Sequence, residues 1–149
     1  MAYAQSLGQV TDGRKVWEIM YGGGELPYGP AASEDQEVFW VLTLDTQLYL
    51  RGVTEIARGE RDRVATPIPD TVRLVLGIAA LEGASAFIVV HNHPSGDPSP
   101  SSHDRAVTRM LKTAALAIEI DLLDHVILGT PGKDPCLLGH FSFRAAGQL

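Results

Sequence analysis

The sequence is poor in cysteine, in net positive charge and in long apolar runs, and each shortage excludes something. Its one cysteine, Cys136, cannot form an internal disulfide or a two-cysteine metal half-site. That rules out the cysteine-ligated zinc centre of nucleobase deaminases and suits a reducing cytoplasm, the expected location. Lysine and arginine number 12 against 18 aspartates and glutamates, a formal net charge of −6. Such a balance argues against non-specific binding to nucleic acid or to an anionic membrane as the main activity, although local patches remain compatible with it. No apolar run reaches the roughly 18 residues of a membrane span, and no charged-then-apolar N-terminal signal is present. Neither export nor a membrane partner is therefore expected. The helix-borne His-Glu-x-x-His protease motif is also missing.

What is present is an ordinary globular composition: 149 residues, 45 % apolar and 20 % charged, with no internal repeat and enough chain for one real core. Residues 1–33 read as an N-terminal helix followed by a Gly/Pro-rich loop, and residues 34–149 as the domain proper. The helix spans Asp12 to Met20, where Val16, Trp17 and Met20 share a face. The Gly22-Gly23-Gly24 triplet reads as loop, because no Gly-Lys-Ser/Thr follows it and no strand precedes it. Glu37–Asp45 and Gln47–Ile56 form a β-hairpin joined at Asp45 and Thr46. Arg58–Arg63 is a solvated turn and Val64–Ile68 a short extended segment. Asp70 caps a helix through Ala84 that buries Val72, Val75, Ile78, Ala79 and Leu81, with Gly83 ending it. Ala86–Val90 lacks polar alternation and is a strand buried on both faces. A second principal helix, from Ser102 or His103 to about Ala117, buries Val107, Met110, Leu111, Ala114 and Ile118 and turns Arg105, Arg109 and Lys112 to solvent. Ile118–Gly129 is a strand, Thr130–Pro135 a turn, and Cys136–Phe143 a last strand. The sum is an α/β domain, a sheet flanked by two principal helices.

Chemistry concentrates between Val89 and Asp104. In extended chain His91 and His93 point to one side and Asn92 to the other. Pro94 and the Gly96-Asp97-Pro98 run then turn the chain until a helix can start, and Asp104 arrives in that helix's first turn. Each residue has a bland explanation. Ser101-x-x-Asp104 satisfies a capping box, and two loop histidines can simply bond to backbone. Together, two histidines one residue apart and an aspartate from the next helix supply two nitrogens and one oxygen, the ligand set of a catalytic zinc site with a fourth position open. His103 should point about 100° away from Asp104 around the helix and is taken as exposed or as supporting the ligands. His125, beside Asp124 on an apolar strand, reads as a core histidine rather than a ligand, with a contact that supports the ligands as the alternative. His140 carries no signal, and Cys136 is assigned a structural role.

His91-x-His93-Pro94 followed by Ser101-x-x-Asp104, with ten residues between His93 and Asp104, resembles the signature of the JAMM (JAB1/MPN+) metalloproteases, and in particular their bacterial RadC branch. The likeness extends to Glu37-Val-Phe, Leu123-Asp124-His125 and Ser142-Phe143-Arg144, and covers residues 34–149. It implies an MPN/JAB-type (cytidine-deaminase-like) α/β fold, a curved mixed sheet flanked by helices. It also implies zinc as cofactor, with His91, His93 and Asp104 as metal ligands, Glu37 as the catalytic carboxylate that takes the proton of the attacking water, and Ser101 as hydrogen-bond donor to the developing oxyanion.

Three functions follow. The first is a zinc-dependent hydrolase of amide bonds acting on a peptide, an isopeptide or a small amino-acid conjugate. The second is a DNA-associated role, suggested by the RadC label. Relatives of that branch carry an N-terminal helical region of helix-hairpin-helix character, whereas about 36 residues precede Glu37 here, which together with the acidic balance weighs against it. The third, a non-catalytic interaction module, is disfavoured because every ligand position is filled.

Overall fold

The computed structural model describes residues 7–22, 30–31, 35–59 and 67–149. The hairpin is its starting point: β1 (Val38–Leu44) and β2 (Leu50–Arg58) pair antiparallel, from Val38 opposite Arg58 to Leu44 opposite Leu50. Asp45 shapes the turn, its Oδ1 accepting from the N–H groups of Gln47 at 2.8 Å and Tyr49 at 3.0 Å, as short acidic side chains do in turns. On the other edge of β1 lies β3 (Ala86–Asn92), antiparallel to it. β4 (Asp121–Leu128) runs parallel to β3, and β5 (His140–Ser142) closes the order β2-β1-β3-β4-β5 antiparallel to β4.

Every residue of β1 and β3 is buried, because helices cover both faces. Val38, Trp40, Leu42, Leu44, Ile88 and Val90 pack with Val16, Ile19 and Met20 of α1 (Gly13–Tyr21). The alternate residues Phe39, Val41, Phe87 and Val89 pack with Val72, Val75 and Ala79 of α2 (Ile68–Leu81) and with Val107, Leu111 and Ala115 of α3 (Ser102–Ala117). The period of two along each strand thus assigns every side chain to one of two cores. A mixed, open five-stranded sheet between helices is the α/β architecture expected of an MPN/JAB-type fold. No described helix is long and apolar enough to cross a membrane.

Several boundaries differ from expectation. Ile68 is helical, and α2 starts after Pro67 with Pro69 in its first turn, where a missing N–H costs nothing. Asp70 is therefore a first-turn residue, not the cap, and binds Arg73 at 2.8 Å. The helix stops at Leu81 rather than Ala84: Gly83, at φ 62°, donates to Ala80 O and Ala84 donates to Ala79 O, a Schellman ending. Leu81 is 84 % exposed, Met110 42 % and Ile118 46 %, so none of the three joins the core. The buried stripe of α3 is Asp104, Val107, Thr108, Leu111 and Ala115, rotated from the apolar stripe because two hydrogen-bonded polar residues belong to its inner face. The last strand is only three residues long because Asp134 gathers the N–H groups of Cys136, Leu138 and Gly139 into a loop. Residues 23–29 of the N-terminal loop, 60–63 of the charged turn and 64–66 of the extended segment lie outside the described residues.

Candidate metal centre

The site forms where β3 ends. His91 continues the Phe87, Val89 face toward α2 and α3, and His93 extends the strand's path by donating its N–H to Leu128 O at 2.8 Å. The two rings meet on one side, with 3.1 Å between their Nε2 atoms. The chain then turns tightly at Gly96, whose φ is 91° and where a Cβ would lie 2.2 Å from Thr130 Oγ1, so only glycine fits. This turn returns the Asp97 carbonyl to 2.8 Å from His93 Nδ1. A carbonyl oxygen only accepts, so Nδ1 holds a hydrogen, and the neutral ring offers its lone pair at Nε2.

The head of α3 supplies the carboxylate. Ser101 Oγ accepts from Asp104 N at 3.1 Å, and Ser101 N donates to Asp104 Oδ2 at 2.8 Å, a complete capping box. The same carboxylate places Oδ1 at 3.1 Å from His91 Nε2 and Oδ2 at 3.3 Å from His93 Nε2. Capping and the approach to the rings are thus one arrangement. Ser101 itself is exposed.

Glu37 enters from the start of β1, buried, with Oε1 3.9 Å from His91 Nε2. Asn92 accounts for its position. Pointing away from the imidazoles, its Oδ1 accepts from Val38 N at 2.8 Å and its Nδ2 donates to Gln36 O at 2.7 Å. The backbone on both sides of Glu37 is thereby tied to the strand that carries His91.

Donor atoms of Glu37, His91, His93 and Asp104 all lie within 4.8 Å of one another. Two carboxylates and two imidazoles converging in a mostly buried pocket make an acceptor-rich cluster, which a divalent cation would neutralise. The residues therefore fit a metal. Burial pulls the pKa of His91 down, against the opposing pull of Asp104. Burial also acts to lower that of His93, but the Asp104 carboxylate and the Asp97 carbonyl outweigh it and raise it. For Asp104, burial is outweighed by the two rings, which hold the carboxyl well below the usual carboxylate range.

A cavity beside the cluster is lined by Glu37, Phe39, Thr71, His91, His103, Asp104 and Val107. His103 is exposed, as expected, and borders this cavity. His125 is buried, as expected of a core histidine, and it also contacts the site: its Nε2 lies 2.8 Å from His91 Nδ1 and its Nδ1 2.6 Å from Thr108 Oγ1. A histidine in β4 immediately before the apolar run Val126-Ile127-Leu128 was the available signal; its partner depends on strand order. Cys136 is exposed rather than built into the core.

Residues 27–147 match the family described as the RadC-like JAB domain. The chain is 40 % identical over 141 residues to a UPF0758 protein of Chlorobium phaeovibrioides, covering 95 % of this chain and 55 % of that one. It is 40 % identical over 115 residues to a UPF0758 protein of Thermotoga maritima, covering 77 % and 47 %. With a UPF0758 protein of Burkholderia cenocepacia it shares 42 % over 113 residues, covering 76 % and 40 %. The chain thus spans about half the length of these relatives. With its metal-compatible cluster falling within the matched residues, the chain belongs to the RadC-like JAB domain family.

Proposed function

We propose that the protein is a zinc-dependent metallohydrolase that cleaves an amide bond, in a peptide, an isopeptide or a small amino-acid conjugate. The observation that carries this reading is the convergence of His91, His93, Asp104 and Glu37 on one point beside a cavity. His91 Nε2, His93 Nε2 and Asp104 would hold the ion. Zinc in such a three-ligand site supplies Lewis acidity, lowering the pKa of water to about 7 and polarising a carbonyl oxygen.

The protein's own groups do the rest. The Glu37 carboxylate accepts a proton from the attacking water and delivers it to the leaving nitrogen, as a general base that then acts as general acid. Asn92 keeps that carboxylate in place by holding the backbone at Gln36 and Val38. Ser101 Oγ accepts from Asp104 N, which leaves its hydroxyl hydrogen for the oxyanion that develops on the substrate. A reducing cytoplasm is the setting we assign, consistent with the exposed thiol of Cys136.

The test is a panel of peptides, isopeptides and nucleic acids offered to the zinc-loaded protein and to Glu37→Gln. The variant is expected to keep its zinc and lose about a hundredfold or more in rate on the cleaved amide. Equal rates for the two proteins, or cleavage of nucleic acid alone, would overturn the reading.

A further inference from the structure

The position of hydrogen on His91 is fixed by the Asp104 carbonyl, three hydrogen bonds away through His125 and Thr108. Thr108 Oγ1 lies 2.7 Å from Asp104 O and 2.6 Å from His125 Nδ1. The carbonyl only accepts, so it takes the single hydroxyl hydrogen, and the oxygen faces His125 with a lone pair. His125 Nδ1 must therefore be the donor. The His125 ring is fully buried and stacked on Phe143 at 4.8 Å, with Phe39 at its edge. A neutral ring suits that apolar enclosure, and with hydrogen on Nδ1 its Nε2 is an acceptor. That Nε2 is 2.8 Å from His91 Nδ1, so His91 Nδ1 donates. The only lone pair left to the neutral His91 ring is on Nε2, the atom 3.1 Å from Asp104 Oδ1 and 3.1 Å from His93 Nε2.

We propose that Thr108 and His125 are positioning residues that set the tautomer of His91, so that its Nε2 lone pair is presented to the metal. The inference rests on reading His91 as a ligand. Three elements take part: α3 supplies both Asp104 and, one turn on, Thr108; β4 carries the relay ring; β3 carries the ligand. A histidine that binds metal through one nitrogen is oriented through the other, and loss of such a partner costs about 10- to 100-fold in affinity. What is unusual here is that the partner is a second histidine, which has two tautomers. Removing the Thr108 hydroxyl frees His125 to place its hydrogen on Nε2. It would then donate to His91 Nδ1, and His91 would have to move its own hydrogen to Nε2 and block the ligand position.

The test reads the tautomers directly, by long-range proton–nitrogen correlation of the chain labelled with 15N-histidine, in the ion-free protein. Hydrogen on Nδ1 of both His91 and His125 is expected in the wild type; hydrogen on Nε2 of His125 overturns the proposal, whatever the variants do. In Thr108→Val, which keeps the side-chain volume, the hydrogens of both rings are expected to shift to Nε2 and zinc affinity to weaken by about 10- to 100-fold. Thr108→Ser should restore both. A purely structural Thr108 would leave the tautomers unchanged in Thr108→Val, and that result also overturns the proposal. Failure of the wild type to bind zinc would instead count against the metallohydrolase reading, because the tautomers are measured without metal.

Discussion

Asp104 at the head of α3 and Asp124 in β4 are buried to the same degree, 4 % exposed each, yet their carboxyl groups behave oppositely. Burial acts to raise both pKa values. At Asp104 the hydrogen-bonded rings of His91 and His93 outweigh it and depress the value. At Asp124 burial prevails, offset only in part by Ser142, Arg144 and His125, and the value is raised. The partners explain why. Asp124 Oδ1 accepts from the N–H groups of His125 at 2.8 Å and Arg144 at 3.0 Å, and Oδ2 from Ser142 Oγ at 2.5 Å. Those donors are neutral and fixed, and the group ties the chain after β5 to the sheet. Asp104 sets its two oxygens 3.1 and 3.3 Å from the Nε2 atoms of two imidazoles, a cluster that could hold a cation. A buried carboxyl group satisfied by fixed donors supports the fold, whereas one that converges with two imidazoles fits a metal.

The largest effect that would test this contrast is metal content. Asp104→Ala should lower bound zinc from about one ion per chain to near none, while Asp124→Asn should retain it, as elemental analysis of the purified proteins would reveal. Equal loss in both would break the contrast. Stability should show the reverse order. Asp124→Ala strands two backbone N–H groups and the Ser142 hydroxyl, a cost of about 3 kcal/mol. In urea unfolding with a chelator present, Asp104→Ala should cost less, since metal binding no longer contributes. The smallest effect is in pH dependence. Because the folded pKa of Asp124 lies above its ordinary 3.8, the native state binds more protons than the unfolded state between those values. Its contribution is complete below the ordinary value and declines as pH rises through the folded one. The stability lost in Asp124→Asn should accordingly be greater near pH 4 than at pH 7; a larger loss at pH 7 would show that the carboxylate, not the acid, is the form the fold prefers.

His91, His93 and Asp104 were legible in the sequence because local rules place them. The two-residue period of an extended chain puts both imidazoles on one side, and a capping pattern starts the helix where the carboxylate is needed. The same period correctly turns Asn92 away. The hairpin and the doubly buried β3 follow from apolar runs broken by turn residues. Glu37 needed the family resemblance, because nothing near it in sequence distinguishes it from a surface carboxylate.

Other features depend on residues brought together from far apart. His125 reaches His91 because β4 pairs with β3 and sets Val89 opposite His125, and Asn92 can bracket Glu37 because β1 lies antiparallel to β3. The inner face of α3 includes Asp104 and Thr108 at the expense of Met110 and Ile118, since a polar group earns burial only when its hydrogen-bond partners are waiting there. Local periodicity and capping act over a few residues and can be read directly from the chain; which strand becomes the neighbour of which, and so where a buried ring finds its donor or acceptor, is decided by the packing of the whole sheet between its helices.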